Sequence, residues 1–114
     1  MTEPFCGQIV WVNLSPVVGS EQSGHRPAVI ISGNDYLASV PNVLVVLPIT
    51  TRDRGLPNHV RLGGDLGLDA QSFAVTEQPR TIDRRRVTGS VGHVDAATLR
   101  EIRSWLVDFL DLAP

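Results

Sequence analysis

A chain of 114 residues, 42% apolar and 19% charged, is long enough to bury one modest core and too apolar to stay disordered. Its single cysteine, Cys6, excludes an internal disulfide and a CxxC metal site. A net charge of −2 excludes a protein that grips nucleic acid by bulk positive field.

No apolar run approaches the roughly 20 residues of a membrane helix, and "MTEPFCGQ" lacks the basic and hydrophobic regions of a signal peptide. One soluble, cytoplasmic domain over residues 1–114, with no membrane partner, is expected. All ten basic residues are arginine. Residues 26–86 hold eight of them against six acids, and residues 95–114 two against four. A local basic face on an acidic protein follows, with affinity for anions that falls as salt rises.

In chain order, "GQIVWVNL" (7–14) reads as a strand rich in branched and aromatic residues. The polar loop "VGSEQSGHRP" (18–27) follows, then a strongly apolar strand "RPAVIIS" (26–32). "GNDYLASVP" (33–41) is a turn with a short helical piece. "NVLVVLPITT" (42–51) is a third strand, in which Pro48 predicts an edge or a bulge. After the loop "RDRGLPN" (52–58) come a short strand "HVRL" (59–62), a loop "GGDLGLD" (63–69), a strand "SFAVTEQ" (72–78), a charged turn "PRTIDRRR" (79–86) and a short strand "VTGSVGHV" (87–94). The period then changes. Over 95–112, Leu99, Ile102, Leu106, Phe109 and Leu110 form one stripe at helical spacing, with Asp95 as N-cap. Trp105 reads as core or interface. Short strands with polar connections and one closing helix predict a mainly β fold, a small curved antiparallel sheet or barrel.

His25, His59 and His93 form no HxxxH or HxH pair, no GK[ST] follows Gly19 and Gly24, and there is no GxSxG elbow. No metal and no cofactor is therefore expected. What remains is centred on arginine. Arg26 stands at a loop-to-strand junction beside the fixed φ of Pro27, a placement suited to a guanidinium that meets an anion with two donors. Glu21 and Gln22 share its loop. Thr50 and Thr51 end the third strand, and Glu77 and Gln78 end a later one before Arg80. A loop arginine beside a glutamate is ordinarily a surface ion pair, and strand-end threonines ordinarily satisfy turn backbone. Spacing alone leaves both readings open.

"GQIVWVNLSPVVGSEQSGHRPAVIIS" resembles the N-terminal signature of the MazF/PemK toxin family. "VLPITT" is similar to that family's third core strand, and "TEQPRTIDRRRVTG" to a later block. The resemblance runs from about residue 7 to the helix. It implies an SH3-like barrel of the CcdB/PemK type and a symmetric homodimer. The implied activity is metal-independent cleavage of single-stranded RNA at a short sequence, held in check by a cognate MazE-like antitoxin. It implies Arg26 and Thr50 as catalytic residues, with Thr51 the alternative if the register slips by one.

Two departures stand out. Gly7-Gln8 replaces the Gly-Asp of many relatives. The Arg-x-Asp pair and first-loop histidine of a plasmid-borne branch read Val75, Glu77 and Ser20 here. Metal-free RNA cleavage needs a base for the 2′ proton, and Glu21, Glu77 and His25 are the candidates. Glu21 has the best position, either as that base or as the partner that orients Arg26. His25 has a suitable pKa, but neighbouring strand residues point oppositely. His59 and His93 read as ordinary sheet residues. Ser20, Gln22, His25, Thr51, Arg52, Arg54, Glu77, Gln78 and Arg80 are the expected RNA contacts.

Two other functions compete. A toxin of the same fold that poisons DNA gyrase uses a tryptophan-containing C-terminal tail, whereas Trp105 lies inside the helix. A non-catalytic SH3-like binding module would have no need of an arginine–threonine pair.

Overall fold

In the computed structural model, which describes residues 3–14 and 24–112, alternate residues of the long strands divide between two separate apolar clusters. The strands are β1 (Gln8–Asn13), β2 (His25–Ile30), β3 (Val43–Thr50), β4 (His59–Arg61), β5 (Gly64–Asp65), β6 (Phe73–Val75), β7 (Arg80–Asp83) and β8 (Val87–Val94). A short helix α1 (Asn34–Ser39) precedes β3, and the helix α2 (Ala96–Leu110) follows β8. Ile9, Val29, Leu47, Ile49, Val60 and Ala74 pack inward with Ile102 of α2. Val10, Val12, Ala28, Ile30, Leu44, Val46 and Ile82 form a second cluster on the other face, covered by Leu37 of α1. Near-continuous apolar strands are the consequence of burying both faces.

All pairings are antiparallel, in the order β4-β6-β3-β2-β1-β8-β5, with β7 on β3 beside β6. The two ends of that path, β4 and β5, are joined by only two residues, Leu62 and Gly63. The sheet must therefore curl until its edges meet. Two register shifts between β1 and β8 supply curvature, because a bulge bends and twists the strand that carries it. The architecture is mainly β, a curled antiparallel half-barrel with a C-terminal helix, as expected.

Some local expectations change. Residues 79–86 are not a charged turn: they form β7 and a 3₁₀ turn, Arg84–Arg86. Ile82 is buried against Leu44, its cross-strand partner, and the flanking charges concealed this one apolar anchor. The 63–69 loop contains the two-residue β5. Residues 87–94 form one of the two longest strands. Pro48 lies in a central strand. Ile31 N–H donates to Val45 O (2.9 Å), so odd residues of β3 bond toward β2 and even ones toward β7 and β6. The N–H that Pro48 lacks falls between Val46, the last partner of β7, and Ile49, the first of β6. The apolar 43–49 run needs no second chain to cover it, since Leu44, Val46, Leu47 and Ile49 are buried within the chain.

At the position of the expected acid, Gln8 is buried and its Nε2 donates to Ser90 Oγ at 2.9 Å. Cys6 is half-buried, its thiol donating to Ile31 O at 3.7 Å.

Candidate functional site

The polar first loop is closed at its base by a bond from Leu14 N–H to Gly24 O (2.9 Å), with Gly24 at φ 78°. Ser20, Glu21 and Gln22 lie outside the described residues.

Arg26 enters β2 opposite Val12. In the β2–β3 register Ala28 faces Pro48; two residues further, that register brings Arg26 opposite Thr50. Strand alternation puts both on the face of Ala28, Ile30 and Val46, away from the inward cluster. Both are half-buried. The Thr50 hydroxyl accepts from Arg52 N–H at 3.1 Å, which holds its oxygen at the strand end. Thr51, one residue past β3, is exposed, as are Arg52 and Arg54.

Thr50 opens onto a concavity of about 290 Å³ lined also by Arg54, Leu56, His59, Val75, Glu77 and Gln78. The β4–β6–β3 pairing builds it. Ala74 and Val60 point inward, so His59, Val75 and Thr50 share the opposite face. Four expected residues, Thr50, Arg54, Glu77 and Gln78, thus meet in one wall. Glu77 is fixed by two donors. Asn58 Nδ2 lies 2.9 Å from its Oε1, and His59 Nε2 lies 3.1 Å from its Oε2. Beneath them, the buried Thr76 hydroxyl donates to Asn58 O at 2.6 Å.

Two expected contacts stand apart. His25 faces away from Arg26, its ring stacked on Trp11 (centroids 5.1 Å apart, planes at 15°) and its Nε2 2.6 Å from Thr88 Oγ1. Arg80 shares the face of Arg26 and Thr50 but pairs with Val46, four residues back along β3 from Thr50. Its buried Nη1 has no partner among the described residues. Among those residues, no three His, Cys, Asp or Glu side chains gather at metal-binding spacing, and no helix is long and apolar enough to cross a membrane.

His59 is a buried residue of β4, as expected, and it also lines the concavity. Nothing local marks it, because its partner Glu77 lies 18 residues away and only the β4–β6 register joins them. Trp105 packs against the inward cluster, as anticipated.

Comparison with known proteins follows the same geometry. Residues 6–110 match the family described as PemK-like, MazF-like toxin of type II toxin-antitoxin system. The chain is 38% identical over 92 residues to Endoribonuclease EndoA of Bacillus subtilis, covering 78% of each protein. It is 38% identical over 79 residues to Endoribonuclease toxin MazF of Escherichia coli, covering 69% of this chain and 68% of the relative. The crystal structure of MazF from Deinococcus radiodurans superposes with a TM-score of 0.84 at 30% identity, over 97% of this chain and 99% of that one. A MazE-MazF crystal structure from the same organism gives 0.79 at 30% identity, over 99% and 100%. The chain belongs to the PemK-like, MazF-like toxin family of type II toxin–antitoxin systems.

Proposed function

We propose that this protein is a metal-independent endoribonuclease toxin of the cytoplasm that cuts single-stranded RNA at a short sequence. The observation that carries the reading is the β2–β3 register, which continued two residues beyond Ala28 and Pro48 brings Arg26 toward Thr50 on one face, with Thr50 itself lining a polar concavity. The 2′-hydroxyl attacks the adjacent phosphorus and the P–O5′ bond breaks, leaving a 2′,3′-cyclic phosphate and a 5′-hydroxyl. Arg26 offers paired donors to the phosphorane oxygens as negative charge builds. Thr50 adds a hydroxyl that keeps the phosphate in line. A guanidinium hardly deprotonates, so Arg26 stabilises charge; Glu21 takes the 2′ proton as the hydroxyl attacks and returns it to the leaving O5′. Arg52, Arg54 and Arg80 hold phosphates; Ser20, Gln22, Thr51, Glu77 and Gln78 face bases, which unpaired RNA leaves accessible.

The relatives also support a cognate MazE-like antitoxin as partner, since a MazE-MazF complex is among the similar structures. A symmetric homodimer would cover apolar side chains exposed at the end of α2, Phe109, Leu110 and Leu112.

The purified protein should cleave a single-stranded RNA pool in EDTA, leaving 5′-hydroxyl ends, and should stop when the target nucleotide is 2′-deoxy. Arg26→Ala should lower the rate roughly a hundredfold or more, as loss of such a donor does. Arg26→Lys should recover little, because a point charge lacks the planar fork. Cleavage indifferent to the 2′-deoxy replacement would end this mechanism, and an unchanged rate in Arg26→Ala would remove that residue from it.

A further inference from the structure

Glu77 in the wall beside Thr50 is a fixed acceptor. Each of its oxygens takes one protein donor, from Asn58 at 2.9 Å and His59 at 3.1 Å, and each keeps a further lone pair. The His59 side chain is only 5% exposed, and its Nδ1 is buried with no partner among the described residues. A buried N–H left unmade is costly. A carboxylate oxygen only accepts, so His59 meets Glu77 through its Nε2–H. We infer that His59 is a positioning residue for base recognition: it holds Glu77 as the acceptor for an exocyclic amino group of an unpaired nucleobase seated in this concavity.

The inference rests on the nuclease reading and deepens it. Cytosine, adenine and guanine each carry an amino donor, whereas uracil turns carbonyl oxygens toward any acceptor set beside its N3–H. A carboxylate held by two donors can take uracil's N3–H only against the repulsion of a flanking carbonyl, so the pocket disfavours uracil. Leu56, exposed at the rim, offers apolar surface to the base, and the Gln78 amide supplies both a donor and an acceptor for the ring edge. Thr50 in the same wall puts the base next to the reacting phosphate.

Two measurements on the full chain test this. In the first, 5′-hydroxyl ends from a randomised single-stranded RNA pool are sequenced for the wild type, His59→Leu, His59→Gln and Glu77→Gln. Wild type should disfavour uridine at one position near the cut. His59→Leu and Glu77→Gln should each weaken that preference about tenfold, while His59→Gln, which keeps an N–H donor, restores it. An unchanged preference in both His59→Leu and Glu77→Gln, or a rate loss uniform over all bases, overturns the proposal. In the second, imidazole nitrogen NMR of the wild type should show the Nε2–H form of His59. Millimolar CMP or AMP should shift the His59 signals more than UMP does. Equal shifts overturn the proposal. If the wild type cuts no RNA yet shows this nucleotide preference, the nuclease reading falls and the pocket assignment stands.

Discussion

Asp83 is gripped by a neighbour two residues on. Its carboxylate accepts from Arg85 N–H (2.8 Å) and forms a two-point pair with the Arg85 guanidinium, both bonds 3.0 Å. These bonds hold its pKa down to about 2, from the usual 3.8, and push that of Arg85 up. A depressed carboxylate stabilises the fold fully above the unfolded value, and that contribution is lost as pH falls from about 3.8 through about 2. The pair is exposed, so the contribution is small and screened by salt. A carboxyl NMR titration of the wild type should place Asp83 near 2, and Arg85→Ala should return it toward 3.8. A midpoint unmoved by Arg85→Ala would show that the guanidinium is not the cause. Arg26 is the contrasting case. Its neighbours in the chain predicted a rigid placement, through Pro27, and the β2–β3 register, continued two residues, directs that placement toward Thr50.

At the scale of the element, α2 is the segment most legible from local pattern. Its N-cap was readable: Asp95 accepts from Thr98 N–H at 2.8 Å, and hydrogen bonding from the Thr98 side chain, then from its backbone, lowers the carboxyl pKa. The stripe behaves unevenly. Ile102 is fully buried, and Leu99 and Leu106 pack beside it, but Phe109 and Leu110 stand exposed where the helix runs past the curled sheet. Periodicity reports which face is apolar; it cannot report where the supporting surface ends. Ile102→Ala should therefore cost about 3 kcal/mol in urea unfolding, and Leu110→Ala much less. Equal losses would mean that the helix end is as tightly packed as its middle. The reverse failure occurs at β7, where a single buried Ile82 among charged residues gives no alternation to read, and the strand exists because β3 has an edge to fill.

At the scale of the molecule, closure of the sheet depends on a tight crossing of β5 over the end of β8. Gly64 sits at φ 125°, and a Cβ there would lie 2.6 Å from Asp95 N and 2.8 Å from His93 O. Both obstacles are backbone and cannot swing aside. Gly64→Ala should cost about 2 kcal/mol of stability, since backbone strain of this kind typically costs that much. A thermal melt superimposable on the wild type would show that closure does not rely on this contact.

Local chemistry alone determined a good deal about this protein. Side-chain period separated strands from the helix, Arg26-Pro27 marked the close of the polar loop, and the absence of metal or nucleotide motifs left an arginine-centred site. The resemblance added the family, and with it a role for Arg26 and Thr50. Tertiary structure decided the rest. It divided the apolar strands between two clusters and gave Pro48 its gap between β7 and β6. It turned His25 away from Arg26, and joined His59 to Glu77 in the wall beside Thr50. The physical reason is common to these cases: register between segments far apart in the chain is set by the packing of the whole sheet, and no window of neighbouring residues contains it.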